Sequence, residues 1–165
     1  MRRRTPEISA QSRLAAFANL EEARIAVIRA EYNAEITRSL EAKCLAGLQA
    51  GGIKTGHIEC FAVPGCFEIP LLAQKLAARH RYSALIALGA VIKGETLHFE
   101  LVANECARGV MNVALEYQVP VIFEVLAVRT RRDAERRAGN NRMNKGFEAA
   151  RAALAMLAAL NQVKD

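Results

Sequence analysis

The sequence of 165 residues contains no tryptophan, and only 5% of its residues are aromatic. Such a surface lacks the rings on which single-stranded nucleic acids stack, so a single-strand binding protein is not expected. Uninterrupted apolar stretches stay well short of the roughly 20 residues that a membrane-spanning helix needs. The basic start, MRRRTPEISAQ, is not followed by an apolar segment, and we therefore expect neither a secretory signal nor a membrane partner.

Cysteine is also scarce, and its spacing shows neither a CxxC pair nor a neighbouring histidine cluster. The four cysteines are Cys44, Cys60, Cys66 and Cys106. This pattern favours neither a disulfide framework nor a zinc site. We interpret these residues as small buried side chains of a protein from a reducing cytoplasm.

Hydrophobic residues make up 52% of the chain and charged residues 24%, which are ordinary values for a folded globular protein. The length is that of one domain. Residues 1–23 have no firm hydrophobic period, and we interpret them as an N-terminal arm. A single domain is expected over residues 24–165.

The net charge of +6 is concentrated in two places. Residues 129–142 hold six arginines against two acids, and the arm supplies three more arginines at positions 2–4. Such a cluster is typical of a nucleic-acid surface, an anion-binding site or a solvated helix face. This one is short, contains acids and matches no nucleic-acid-binding motif, so no nucleic-acid partner is expected.

Strand and helix patterns alternate along the chain. Short apolar or β-branched runs predict strands over 24–30, 57–63, 83–92 and 119–128. Helical spacing predicts helices over 34–50, 67–80, 97–118, 130–138 and 144–160. Alternation of this kind implies a parallel sheet with helices on both faces. Of the three histidines, His57 falls in a predicted strand and His80 in a polar turn, which leaves His98 near a strand end.

Ligands of parallel sheets bind beyond the carboxyl ends of the strands, so the residues that follow each strand are candidates. After the first strand, Tyr32 offers an aromatic face and Asn33 an amide, although packing and N-capping are the structural alternatives. After the second strand, VPGCFEIP is constrained backbone that leads into a helix. Glu68 there is either an acceptor for a polyol or a surface acid favoured by the helix dipole.

The third strand end carries GAVIKGETLH at 89–98, with a glycine, a hydroxyl and an imidazole at a helix start. Amides at such a start bind phosphate, and imidazole exchanges protons near neutral pH. The alternative has Thr96 as the N-cap and His98 on the surface. At the fourth strand, Phe123 is interpreted as the end of the apolar run, and an arginine of the following cluster is suited to clamp a phosphate.

Four motifs with this order and spacing resemble one enzyme family: VPGCFEIP (63–70), ALGAVIKGETLHFELVANE (87–105), VPVIF (119–123) and RAGNNRMNKG (137–146). Over residues 24–160 the sequence resembles the 6,7-dimethyl-8-ribityllumazine synthases, which act in the penultimate step of riboflavin biosynthesis. The resemblance implies a flavodoxin-like three-layer α/β sandwich, with helices on both faces of a parallel four-stranded sheet.

The resemblance also implies the activity of a transferase with two small-molecule substrates. The family condenses 5-amino-6-(D-ribitylamino)uracil with 3,4-dihydroxy-2-butanone 4-phosphate and releases phosphate and water. It uses no metal and no organic cofactor. Its members are homo-oligomers built of pentamers, in which each active site is shared between neighbouring subunits.

The residues that match the family's substrate site fall into three groups. The pyrimidine and its ribityl chain are assigned to Tyr32, Cys66, Phe67 and Glu68, with the backbone of Ala90, Val91 and Ile92. Asn33 is added as a substrate-binding residue because of its amide. The phosphate loop supplies Glu95 and Thr96, and the resemblance makes His98 the proton-transferring residue. The adjacent subunit is expected to contribute Phe123, Arg137 and Lys145, with Arg137 gripping the phosphate.

Several positions depart from the family's usual residues. Tyr32 stands for a tryptophan or phenylalanine, Glu124 for a glycine, Arg136 for a glutamate and Asn141 for a lysine. The segment at 127–130 lacks the usual pair of threonines. Most of these changes fall on the half of the site that the neighbouring subunit is expected to supply.

An active synthase is the leading interpretation of the sequence. One alternative is a diverged relative with weak activity that binds ligand, and another is a purely structural shell subunit. The presence of both His98 and Arg137 favours the enzyme, because a scaffold needs neither. The choice between a pentamer, a decamer and a closed shell is expected to lie in residues 139–143.

Overall fold

Four β-strands and five α-helices alternate along residues 20–163, the part of the chain that the computed structural model describes. The strands are β1 Ile25–Ala30, β2 Ile58–Val63, β3 Ala84–Ile92 and β4 Val121–Val128. The helices are α1 Ala34–Ala50, α2 Ile69–Ala77, α3 His98–Tyr117, α4 Arg131–Arg137 and α5 Lys145–Gln162. Short 3-10 turns lie at Leu20–Glu22, Thr55–His57 and Cys66–Glu68. Most of the expected arm, residues 1–19, lies outside the described residues.

The four strands form one parallel sheet in the order β2-β1-β3-β4. Ile25 is in register with Ile58 of β2 and Ala84 of β3, and Leu85 is in register with Val121 of β4. Helices α1 and α5 cover one face of the sheet, and α2 and α3 cover the other. This architecture confirms the predicted three-layer α/β sandwich.

The central strand β1 is covered on both faces, as its apolar sequence IAVIRA predicts. Ile25 and Val27 point into the core beneath α1 and α5, whereas Ala26 and Ile28 point into the core beneath α2 and α3. Burying a side chain such as Ile28 contributes about 1.5–3 kcal/mol. Because β1 and β3 are the two inner strands, their carboxyl ends lie together in the middle of one edge of the sandwich.

The apolar seam of the long helix α3 packs within its own subunit. Cys106, Val110 and Val113 are buried in the core on the α2 side of the sheet. An apolar stripe on a helix can face either a sheet or another subunit, and in this structure the stripe faces the sheet. The opposite side of α3 exposes large apolar residues, among them Leu101 and Leu115. Within residues 20–163, no helix has the length and apolar character needed to cross a membrane.

Several predicted element boundaries are wrong by one to three residues; for example, β4 begins at Val121 and not at residue 119. His57 closes a 3-10 turn and does not lie in a strand, because β2 begins at Ile58. The helix predicted over 67–80 is observed only as α2, Ile69–Ala77, because Cys66–Glu68 forms a 3-10 turn and the chain leaves the helix after Ala77. His80, in the turn that follows, has a positive φ of 52°, which an α-helix does not contain.

A buried asparagine defines the joint between α4 and α5. The Asn144 side chain is fully buried; its Oδ1 accepts from the Gly146 N–H at 2.8 Å, and its Nδ2 donates to the Gly139 carbonyl at 2.9 Å. A Cβ added at Gly146 would overlap the carbonyl oxygen of Leu40, so α5 begins directly against the backbone of α1. The first turn of α5 therefore has little freedom relative to α1.

Replacing Asn144 with alanine is expected to lower the free energy of unfolding by about 2–3 kcal/mol. The variant loses the α5 cap and the amide donor that Asn144 gives to the Gly139 carbonyl and the Ser39 hydroxyl, although the Gly139 carbonyl still accepts from the Asn141 N–H at 2.8 Å. Urea denaturation of the two proteins measures the difference. Asn140→Ala, an exposed residue of the same loop, is the matched control and should change the stability by less than about 0.5 kcal/mol. Equal stability of the Asn144 variant and the parent would contradict the assignment.

Candidate active site

A cavity of 690 Å³ opens at the carboxyl ends of β1 and β3. Ten of the fourteen predicted site residues line it: Tyr32, Asn33, Cys66, Phe67, Glu68, Ala90, Val91, Ile92, Thr96 and His98. Five further lining residues were not predicted: Gly65, Gly94, Phe99, Leu101 and Val102. Helical spacing could have predicted Phe99, Leu101 and Val102. Residues three or four positions apart lie on one face of a helix, so Leu101 and Val102 lie on the same side as His98, and Phe99 lies beside Val102.

The turn after β1 directs an amide at the end of β3. Asn33 adopts the left-handed conformation with φ 57°, and its Nδ2 donates to the Ala90 carbonyl at 2.9 Å. The Asn33 side chain therefore does not cap α1, which was the structural alternative for this residue. Tyr32 has 75% of its surface exposed, and its ring borders the cavity.

The turn after β2 supplies the second wall of the cavity. Cys66 is buried, and its Sγ occupies the space that a Cβ on Gly89 would take, so β3 needs a glycine at that position. Burial raises the pKa of the Cys66 thiol to about 11, which keeps the thiol neutral at ordinary pH. Phe67 and Glu68 follow with exposed side chains in the 3-10 turn before α2. Cys66 is therefore a packing group of this wall and not a nucleophile.

The loop between β3 and α3 brings a hydroxyl and an imidazole to the cavity. The Thr96 Oγ1 accepts from the N–H of His98, the first residue of α3, at 3.4 Å, although the N-cap position itself is Leu97. Lys93 and Glu100 form an ion pair at 3.6 Å that connects the start of the loop to the first turn of α3. The imidazole of His98 is exposed within the cavity.

Four predicted site residues do not line the cavity of their own chain: Glu95, Phe123, Arg137 and Lys145. Phe123 is the third residue of β4 and not its end, because the strand continues to Val128. The Arg137 guanidinium donates to the Asp133 carbonyl at 3.0 Å. The Lys145 ammonium lies 2.5 Å from a Glu148 carboxylate oxygen. Three of these four residues, all except Glu95, are those expected from a neighbouring subunit.

Comparison with known proteins identifies the family. A model of the 6,7-dimethyl-8-ribityllumazine synthase family matches residues 22–161. Two relatives named 6,7-dimethyl-8-ribityllumazine synthase, from Stenotrophomonas maltophilia strains R551-3 and K279a, are each 46% identical over 143 residues. Each alignment covers 87% of this chain and 92% of the relative. The chain belongs to the 6,7-dimethyl-8-ribityllumazine synthase family.

Family membership establishes the reaction class that the sequence predicted. The enzyme is a transferase of riboflavin biosynthesis. It condenses 5-amino-6-(D-ribitylamino)uracil with 3,4-dihydroxy-2-butanone 4-phosphate, and 6,7-dimethyl-8-ribityllumazine, phosphate and water are the products. The flavodoxin-like fold of this family agrees with the parallel sheet described above.

The basic helix α4 carries much of its charge in ion pairs. Arg131 pairs with Glu35 of α1 and with Glu135 one turn further along α4. Arg136 lies 2.9 Å from Asp133. The Thr130 hydroxyl and the guanidinium groups of α4 hold the pKa of Asp133 below its usual value. Arg131 and Arg136 therefore belong to a surface held by ion pairs within the subunit.

Proposed function

We propose that this chain carries out the lumazine-forming condensation in the 690 Å³ cavity. The pyrimidine substrate lies along the end of β3, and the phosphate of the second substrate lies at the start of α3. The observation that supports this arrangement is the convergence of residues from three separate strand ends on one cavity. Holding two substrates side by side accounts for much of the acceleration that such a site achieves.

The end of β3 offers an unpaired backbone edge for the pyrimidine. β3 stays paired with β4 as far as Ile92, but its pairing with β1 stops at Leu88. On the side of β3 that faces β1, the Asn33 amide donates a hydrogen bond to the Ala90 carbonyl, and no β1 residue pairs with Val91 or Ile92. Backbone N–H and C=O groups in that position suit the alternating donors and acceptors of a pyrimidine ring. The exposed ring of Tyr32 is available to stack on its face.

Two substitutions of Asn33 are expected to separate its backbone role from its side-chain role. Asn33→Gly keeps the left-handed turn but loses the donor to Ala90, and KM for the pyrimidine should rise about fivefold. Asn33→Ala should show the same rise and, in addition, lose about 1 kcal/mol of stability because of its positive φ. Steady-state kinetics and urea denaturation measure the two effects. An unchanged KM in both variants would show that the amide does not shape the pyrimidine site.

His98 is proposed as the group that moves protons during the reaction. Schiff-base formation between the substrate amine and the ketone, elimination of phosphate and ring closure all require proton transfer. The imidazole is exposed within the cavity at the first turn of α3. The Thr96 hydroxyl and the free N–H groups of that turn are suited to bind the phosphate.

A neighbouring subunit is proposed to complete the site, in a homo-oligomer built of pentamers. Phe123, Arg137 and Lys145 do not line the cavity of their own chain, so a second copy is needed to bring them to a substrate. The outer side of α3 supports an interface between copies, because Leu97, Leu101, Met111 and Leu115 are all more than half exposed.

We also propose that residues 24–165 form one catalytic domain that functions in the cytoplasm. A single sheet with two core clusters that extend from Ala23 to Leu157 supports one domain. The four cysteines are free thiols, which suits a reducing compartment. Three of them are buried as predicted, but the prediction is wrong for Cys60, which is exposed on the edge strand β2.

The proposed function is tested by incubating the purified protein with both substrates. Lumazine fluorescence should appear together with released phosphate, and neither should form when one substrate is omitted. Light scattering of the same sample should give a particle several times the monomer mass of 18.0 kDa. A fully active monomer would exclude the shared site, and an assembled protein without product would exclude the activity.

A further inference from the structure

Helix α4 has a small apolar contact with the rest of its subunit. The residues of α4 and its C-cap that belong to the core beneath α1 and α5 are Ala134 and Ala138. An alanine buries a single methyl group, so these two residues contribute little hydrophobic stabilisation and leave the position of α4 weakly determined. The placement of this helix therefore depends on its polar contacts.

Two polar contacts join α4 to α1, one at each end of α4. At the start, Arg131 pairs with Glu35, and both side chains are more than half exposed. At the end, the Ser39 hydroxyl donates to the Ala138 carbonyl at 2.5 Å. Glu35 and Ser39 lie one turn apart on α1, so the same side of α1 faces α4. The contact from Ser39 is the better shielded from solvent, because Ser39 is half-buried and Ala138 is buried.

Asn144 extends the contact from Ser39 to the start of α5. The Asn144 Nδ2 donates to the Gly139 carbonyl at 2.9 Å and lies 3.4 Å from the Ser39 hydroxyl oxygen. Its Oδ1 accepts from the first turn of α5. Carbonyls at the end of a helix have no partner within the helix, and Ser39 supplies one for Ala138. Ser39 and Asn144 together therefore hold the end of α4 against α1 and α5.

Arg137 lies directly before this anchored end of α4. Its guanidinium donates to the Asp133 carbonyl at 3.0 Å and lies 3.6 Å from the Asp133 carboxylate. Asp133 belongs to the same helix, so these contacts fix Arg137 relative to α4 and not relative to the sheet. A shift of α4 therefore carries the guanidinium with it.

We propose that Ser39 is a positioning residue for Arg137. Its hydroxyl fixes the end of α4 at the position from which the guanidinium reaches the phosphate in the neighbouring cavity. This inference rests on the proposed function, in which Arg137 acts on the substrate of an adjacent subunit. Ser39 does not line the cavity of its own chain, so it acts through the helix that it anchors and not by touching a substrate.

Ser39→Ala is expected to raise KM for the butanone phosphate about fivefold, because a misplaced guanidinium binds the phosphate less well. KM for the pyrimidine and turnover at saturating substrate should stay within about twofold of the parent. Steady-state kinetics measures all three values, and light scattering confirms that the particle is unchanged.

Glu35→Ala is the matched control for Ser39→Ala. It removes the exposed contact between the same two helices, and Arg131 keeps its pair with Glu135. Its KM for the butanone phosphate should change by less than about twofold. If Ser39→Ala does not assemble, Ser39→Cys, whose thiol is a weak donor, takes its place in every comparison.

Mixed particles test whether Ser39 acts across the subunit boundary. Ser39→Ala and His98→Ala subunits with different affinity tags are co-expressed, and purification on both tags selects particles that contain both. In about a quarter of the cavities, an intact His98 then meets an Arg137 whose own subunit retains Ser39. Below KM for the butanone phosphate, the mixed particles should be about threefold more active than the mean of the two variants assembled separately. An unchanged KM in Ser39→Ala, or mixed particles that only reach this mean, would overturn the inference.

The same experiment with Arg137→Ala in place of Ser39→Ala separates this inference from the proposed function. If the parent makes no lumazine, the proposed function is wrong. If mixed particles of Arg137→Ala and His98→Ala only reach the mean of the separate variants, the site is not shared through Arg137, and the inference falls with it. If those particles exceed their mean but the particles with Ser39→Ala do not, only the inference is wrong.

Discussion

Arg137→Ala is expected to lower kcat/KM for the butanone phosphate by roughly 30- to 1000-fold. In the proposed shared site, its guanidinium forms a bidentate charged hydrogen bond to the phosphate, away from bulk solvent. Losing such a bond costs on the order of 2–4 kcal/mol, and each 1.4 kcal/mol corresponds to a factor of ten. In its own subunit, Arg137 contacts the Asp133 carbonyl and lies 3.6 Å from the Asp133 carboxylate, both on a partly exposed helix. The fold should therefore tolerate the substitution.

Arg129→Ala and Arg132→Ala are the matched controls for Arg137→Ala. Each removes one positive charge from the same region, and both side chains are exposed. Their effect on kcat/KM should be small, whereas pyrimidine binding should survive in all three variants. Steady-state kinetics with the phosphate-bearing substrate, together with pyrimidine titration, distinguishes the cases. Equal and mild defects in the three variants would mean that Arg137 is a solvated helix residue like its neighbours.

His98→Ala is expected to reduce turnover by roughly ten- to a few hundred-fold. General acid–base catalysis typically contributes about 10²–10⁴-fold, and this reaction should fall at the low end. The substrate amine is already nucleophilic and the ketone electrophilic, so the two react slowly without help. Water and the substrate's own phosphate can also carry protons. Proximity of the two bound substrates supplies the remaining rate.

The measurement for His98 compares turnover, pyrimidine affinity and particle size between parent and variant. The pyrimidine affinity and the particle size should be unchanged. The imidazole of His98 is exposed, and the hydrogen bond that this residue makes to Thr96 comes from its backbone N–H. Added imidazole should restore part of the lost rate. Unchanged turnover would move the proton transfer to another group, and dissociation of the particle would make His98 a structural residue.

Much of the site was predictable from sequence because its residues are consecutive at strand ends. The segments around Asn33, Cys66 and Ile92 each follow an apolar run, and a parallel sheet brings such ends to one edge. The order and type of the elements were predictable for a related reason, since the hydrophobic period changes between strand and helix. The first and last residues of the elements were less predictable. Helix α2 is shorter than its hydrophobic pattern, because a 3-10 turn precedes it and His80 takes a left-handed conformation.

The position of Phe123 shows where local patterns fail. The strand predicted over 119–128 does reach Val128, but the interpretation of Phe123 as the end of its apolar run is wrong, because pairing with β3 continues past it. The length of a strand depends on the hydrogen bonds that its neighbour supplies, and for β4 these come from residues of β3 that lie 36 positions earlier in the chain. The direction of the α3 seam was open for the same reason, because an apolar stripe does not specify what covers it.

By itself, the sequence determined the alternation of strands and helices, the apolar faces of each element and the motifs at the strand ends. Tertiary structure alone decided which polar groups meet. It placed the Asn33 amide on the Ala90 carbonyl and paired the buried Arg29 with Glu41 at 3.2 Å. These contacts follow from strand register and from the packing of α1 and α5 on the sheet. Such geometry leaves no period in the sequence, because it depends on the relative positions of elements and not on the spacing within one of them.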